Sequence, residues 1–207
     1  MLRPKSIWAL KPNVTREQAA RHFTAGPLNR LANLIRGPVR SIAEVYIPYR
    51  MFRVRIVIAG RQQNPIFALD AVEGVLDLFE FPTVPDEGVL HTVETRNVLP
   101  VSLDLISQNM ARMREKLIAQ VRRMVFARGF FKLRQLEIKA EPIPLDFCIP
   151  YWVCFRGAGE TVHFDVLDAV RRKREGAKIR HLIEAWLRPD ETNGSTLAEP
   201  ETRTPNS

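Results

Sequence analysis

Hydrophobic spacing along the chain changes from a helical period to an alternating one several times, and each change marks an element. Thr15, Glu17 and Gln18 form a capping box, in which the Thr hydroxyl and the Gln amide satisfy reciprocal backbone donors. A helix is therefore predicted over 16–24. "GP" at 26–27 should break it, and Leu28, Leu31 and Ile35 then follow at helical spacing before a second "GP" at 37–38. From there the period falls to two. Phe52, Val54, Ile56 and Ile58 share one face and Arg53 and Arg55 the other, which predicts a half-buried strand. "RQQNP" reads as a turn, "IFALDAV" as a second strand and, beyond the bend at Gly74, "VLDLFEF" as a third.

A stretch of mixed character from Pro82 to Pro100 separates these from the longest helix, predicted over 103–127 with Ser102 as its cap. Ile106, Met110, Met113, Leu117, Val121 and Met124 keep one apolar stripe aligned there, and Gly129 is a plausible stop. Alternation then returns: Leu145, Phe147, Ile149, Tyr151, Val153 and Phe155 are all on one side of a long strand. "GAGE" predicts a hairpin turn, and "TVHFDVLDAV" the returning strand. A last helix over 176–187 turns Ile179, Leu182, Ile183 and Trp186 inward. The fold class expected is α+β, with an antiparallel sheet packed against helices. The expected organisation is an extended segment 1–14, a helix-strand-strand unit 15–82, a linker 83–101, a second such unit 102–187 with its C-terminal helix, and a disordered tail 188–207.

The two units share wording. Ile47-Pro48-Tyr49 is followed 22 residues on by Leu69-Asp70-Ala71-Val72, and Ile149-Pro150-Tyr151 is followed 18 residues on by Leu167-Asp168-Ala169-Val170. A duplicated helix-strand-strand unit explains this, the two sheets being joined edge to edge or packed as a pseudo-dimer. Proline lacks a ladder donor, so Pro48 and Pro150 are expected at an edge or a bulge, where an exposed strand would offer a docking site. Tyr49 and Tyr151 supply apolar area with a hydroxyl for a polar rim. Asp70, four residues before Gly74, is placed to accept backbone N–H groups of the following turn, and Asp168 is placed to do so in a longer, basic turn.

A helix opening "VTREQAA", a strand pair and then "LDAVEGVLDLFEF" resembles the PepSY-like domains over residues 14–81, at Thr15, Glu17, Ala19, Asp70, Ala71, Gly74 and Leu76. The resemblance implies a small α+β unit used for binding. The second copy departs from that pattern, since Arg171 to Arg174 precede Gly176.

Charge adds a partner class. The net charge is +8, and residues from Arg188 onward contribute −2, leaving +10 on the body. A body that basic should attract an anionic partner, whether nucleic acid or an acidic surface. "RVR" at 53–55, the arginine faces of the long helix and "RRKREGAKIR" at 171–180 would track a phosphate backbone if they shared one surface. No apolar run reaches the length of a membrane span, and with no signal-like start the expected location is the cytoplasm. Cys148 and Cys154, the only cysteines, would lie roughly 20 Å apart in an extended strand, too far for a disulfide.

Catalytic signatures are missing. No G-x-x-x-x-G-K-[ST], H-E-x-x-H or G-x-S-x-G occurs. Gly157-Ala158-Gly159 sits between two strands and reads as a turn; His181 and Glu184 share a helical face without a second metal-binding pair. His163 and Asp165 share a strand face while Asp168 points away, and acid-base chemistry needs convergent groups. The expectation is therefore a non-catalytic binding or assembly component without cofactor or metal, acting through a protein partner or self-association. Nucleic-acid association is the alternative. Arg50, Trp152, Arg171, Arg172, Lys173 and Arg174 are the candidate partner-binding residues; Pro48, Tyr49, Asp70, Gly74, Pro150, Tyr151 and Asp168 are the structural residues of the repeat.

Overall fold

A computed structural model of the protein describes residues 4–26, 35–101, 109–127, 136–157 and 162–188. The alternating runs become two very long strands, β2 (Val39–Ile58) and β7 (Leu136–Arg156), paired antiparallel along their length. Around them, in chain order, stand β1 (Lys5–Leu10), α1 (Arg16–Thr24), β3 (Arg61–Gln63), β4 (Ile66–Asp70), β5 (Phe79–Phe81), β6 (Leu90–Thr95), α2 (Asn109–Ala127), β8 (His163–Asp168) and α3 (Ala177–Leu187). The strands form one curled sheet, a half-barrel of order β5-β4-β2-β7-β1-β6, with β3 paired to β2 and β8 to β7. It is mixed rather than antiparallel, because β1 meets β7 in parallel at Ala9 and Cys148.

Both faces are covered. Odd-numbered positions of the two long strands, among them Ile47, Tyr49, Ile149 and Tyr151, join Ile179, Leu182 and Ile183 of α3 in the largest core. On the opposite face α2 lays Met113, Leu117, Val121 and Val125 on Phe52, Val54, Phe67 and Leu69. There α1 lays Ala19 and Phe23 on Trp152, Cys154 and Leu167. Each of these two helices thus lays its buried side chains mainly on strands that follow the other one, and α2 also lies against β7. The Thr15–Gln18 capping box at the start of α1 forms as the spacing predicts.

The prolines are not at an edge. Ile47 stands directly opposite Ile149 at the centre of the β2–β7 ladder, with Pro48 facing Cys148 and Pro150 facing Tyr46. The carbonyls of Pro48 and Pro150 point outward, accepting from Ala71 N at 2.8 Å and Ala169 N at 3.1 Å. A strand residue's N–H and C=O face the same side, so the missing donors also point outward. That is where the outer neighbour changes. Tyr46 bridges Val98 in parallel just before Pro48, and β4 takes over from Tyr49; Ala9 pairs with Cys148 just before Pro150, and β8 takes over from Tyr151. A proline in each seam costs no ladder bond, and no exposed edge is left there for docking.

Other expectations change in detail. The turn after β2 is Ala59-Gly60, both at positive φ (47° and 80°), as a two-residue hairpin requires, and "RQQ" is the strand that follows. The third strand shortens to Phe79–Phe81. The expected linker 83–101 contains β6 and buries Leu90 and Leu99. Residues 28–34 of the helix expected over 28–35, the cap at Ser102, the stop at Gly129, most of "GAGE" and the tail from 189 lie outside the described residues.

Candidate functional site

The repeated aspartates sit at the outer ends of β4 and β8, each paired with a repeated tyrosine: Tyr49 with Asp70, Tyr151 with Asp168. The two tyrosine hydroxyls meet at 2.9 Å, and burial raises both phenols well above their ordinary range. They stay protonated and serve the core rather than a polar rim. Asp70 uses both oxygens, accepting from the N–H groups of Glu73 (2.9 Å), Gly74 (2.8 Å) and Leu76 (2.8 Å). Asp168 uses one, Oδ1, on Val170 and Arg171. Its buried Oδ2 has no hydrogen-bond partner, and Arg171 Nε stands 3.9 Å away. Burial raises the Asp168 carboxyl above the usual carboxylate range. The basic turn is no longer at this point, because Arg172 (φ 58°) takes the left-handed conformation four residues after Asp168, as Gly74 (φ 66°) does after Asp70.

The difference predicts opposite responses to one substitution. Asp70→Asn turns an amide NH₂ toward a buried N–H and should cost about 2–3 kcal/mol in urea unfolding. Asp168→Asn keeps the two Oδ1 bonds and should leave stability at neutral pH within about 0.5 kcal/mol of wild type or above it. The sign with pH follows from the raised carboxyl. Its stabilising contribution is complete below the unfolded value of about 3.9 and is lost as pH rises through the folded one. The variant should therefore gain on wild type as pH is raised from about 4 toward neutrality. A variant that loses ground over that range would contradict the assignment.

The candidate basic run is used inside the protein. Arg171 donates to Leu78 O and lies 3.6 Å over the Phe79 ring, and Arg172 donates to Asn13 O. Arg174 donates to His22 O at 2.8 Å, and the buried Arg156 donates to Phe23 O. Two guanidinium groups thus satisfy carbonyls of the last turn of α1, where a helix leaves acceptors unpaired and favours positive charge. Lys173 is exposed. Arg156 also pairs with Asp165 at 3.0 Å, and Asp165 with Arg36 at 2.8 Å. Trp152 is buried, its Nε1 donating to Val14 O at 2.9 Å. Arg50 is half-buried against Asp146 at 3.4 Å.

The basic segments do not share a surface. Phe52, Val54 and Ile56 face α2, so Arg53 and Arg55 point to the opposite side of the sheet from the α2 arginines. What α2 leaves exposed is Arg112, Arg114, Arg122 and Arg123, with Glu115 the one acid among them. Beside Arg112 a groove of about 520 Å³ runs between α2, the Asp70 turn and α3. Leu99, Met113, Leu182 and Trp186 line it, and Arg112 and Lys116 stand with them. Lys116 Nζ donates to Glu73 O, and Gln120 donates to Gly74 O at 3.2 Å, tying the helix to the turn.

His163 meets different neighbours from those its strand suggests. A second groove, about 570 Å³, gathers it with His181, Arg180, Glu184 and Arg36. Both histidines and Glu184 are exposed and none is hydrogen-bonded to another, so nothing aligns a base with a nucleophile. Among the described residues no group of three potential ligands could hold a metal ion. The Cys148 and Cys154 thiols are unpaired, and burial pushes them up to about 12 and about 11. No helix among the described residues is long and apolar enough to cross a membrane.

Sequence spacing placed the aspartate caps and the α3 face correctly. It missed the Arg156–Asp165–Arg36 cluster, the grooves and β6, whose "LHTVET" alternates too weakly to stand out. No protein-family model, no curated protein and no solved structure matches the chain.

Proposed function

We propose that the protein is a non-catalytic binding component, built from two similar helix-strand-strand units, that docks an acidic, partly apolar segment of a protein partner. The groove between α2 and α3 carries the reading: its floor is apolar, and the exposed Arg112 and the half-buried Lys116 line its rim. Acidic side chains with an apolar anchor would complement both features. Asp70, Asp168, Arg156, Arg171, Arg172 and Arg174 are taken up by the fold itself, in turn caps, bonds to backbone carbonyls and the Arg156–Asp165 pair. The resemblance of residues 14–81 to PepSY-like domains, which implies a binding role, points the same way.

The test uses the full chain as bait in extracts of its native host, beside a variant carrying Arg112→Glu. A specific protein, insensitive to nuclease, that then binds the purified wild type at least about tenfold more tightly than the variant supports the reading. A strictly monomeric chain that retains no such protein overturns it. The α2 arginines also favour a second reading, nucleic-acid association. That reading predicts capture abolished by nuclease, and an affinity whose logarithm falls with log salt at a slope of about −0.9 per phosphate neutralised.

A further inference from the structure

Arg50 and Trp152 hold matching places in the sheet. Each lies three residues beyond one of the two facing isoleucines, and each pairs outward with a leucine, Leu69 in β4 or Leu167 in β8. This match rests on the two-unit reading; the cavities and bonds around Arg50 do not. Trp152 fills its place, 7% exposed beneath α1. Among the described residues, Arg50 leaves its place hollow. A cavity of about 210 Å³ opens against Trp8, Val101, Phe147 and Cys148, and another of about 340 Å³ against Met110, Ile143 and Pro144; both reach Arg50 and Asp146.

The guanidinium between them is poorly matched. Arg50, whose side chain is 19% exposed, turns only Nε toward a carboxylate, that of Asp146, itself 77% exposed and 3.4 Å away. Nη1 donates to Met110 Sδ at 3.1 Å, and a thioether is a weak acceptor. Arginine binds carboxylates best through two parallel bonds from its planar fork, which Asp146 does not supply. Apolar walls on both sides favour a ligand with an apolar body over a bare inorganic anion. The Cys148 thiol in the wall is pushed up to about 12 by burial, so it lines the cavity as a neutral surface.

We infer that Arg50 anchors a small-molecule site for an organic carboxylate with a compact apolar body, such as an arylacetate, the carboxylate displacing Asp146 from the fork. Benzene occupies an engineered cavity of about 150 Å³, so the half-open pocket of about 210 Å³ beside Trp8 has room for an aromatic ring.

Phenylacetate is the probe, titrated into the full chain by calorimetry and by tryptophan fluorescence, read as the difference from a Trp8→Phe variant. Saturable binding with a dissociation constant on the order of 1 mM is expected for a ligand of its size. Acetate and 2-phenylethanol, which each lack one half of the recognition, should bind at least about tenfold more weakly, as should Arg50→Gln toward phenylacetate. Asp146→Asn should tighten phenylacetate several-fold by removing the competing carboxylate. No saturation by about 20 mM overturns the proposal. So does an affinity for phenylacetate equal to that for acetate or unchanged by Asp146→Asn. Should Arg50→Gln fail to fold, Asp146→Asn, at an exposed position, decides alone. None of these outcomes bears on the α2–α3 groove, whose test changes Arg112.

Discussion

Replacing Asp165 by alanine will lower folding stability by about 3–5 kcal/mol, a large share of the 5–15 kcal/mol typical of a domain. The Arg156 side chain that Asp165 faces is fully buried, and Asp165 itself is only 14% exposed. Removing the carboxylate takes from a buried guanidinium the counter-charge that Asp165 supplies, and desolvation is what makes a broken buried pair costly. The bond to Phe23 O holds the arginine in place rather than releasing it to water. Arg36, the third member, is 40% exposed and loses little, since its head returns to solvent. Replacing both members by apolar residues, Arg156→Met with Asp165→Leu, should recover most of the loss, because the lone buried charge is then gone. Urea unfolding of the three chains measures this. A loss below about 1 kcal/mol in Asp165→Ala would show that the cluster is hydrated and the burial argument wrong.

What the sequence made legible was local. The capping box of α1, the alternation of β2 and β7 and the inner face of α3 each depend on residues within a few positions of one another, and all appear as the spacing predicts. The Asp70 cap is local too, spanning six residues. The placement of Pro48 and Pro150 was not legible, because the seam that accommodates each is made by Val98 and β4 in one case and by β1 and β8 in the other. A proline that would break one ladder is harmless where two outer neighbours meet end to end. The run Arg171–Arg174 misleads in the opposite way. In composition it is a solvated charge run, yet three of its guanidinium groups bond to backbone carbonyls of residues between 93 and 159 positions away. Pattern rules see neither the helix end that needs those donors nor the fold that delivers it.

Trp152→Ala should cost about 3–5 kcal/mol, and the damage should appear in α1 rather than in α2. Trp152 is a strand residue of β7, but its ring lies among Val14, Ala19 and Phe23, and its Nε1 closes on Val14 O just before the helix begins. Truncation therefore removes the floor beneath α1 and leaves a buried carbonyl without its donor. Amide hydrogen exchange in the full chain locates the effect. Protection should fall across Arg16–Thr24 while Asn109–Ala127, seated on Phe52, Val54 and Leu69, keeps its own. The matching change on β2, Arg50→Ala, should cost about 1 kcal/mol or less, since its partner Asp146 is exposed and its surroundings are already hollow. Equal losses at the two positions, or deprotection of α2 in the Trp152 variant, would contradict the exchanged packing of the helices. Unequal losses would separate a position that the fold fills from one it leaves open.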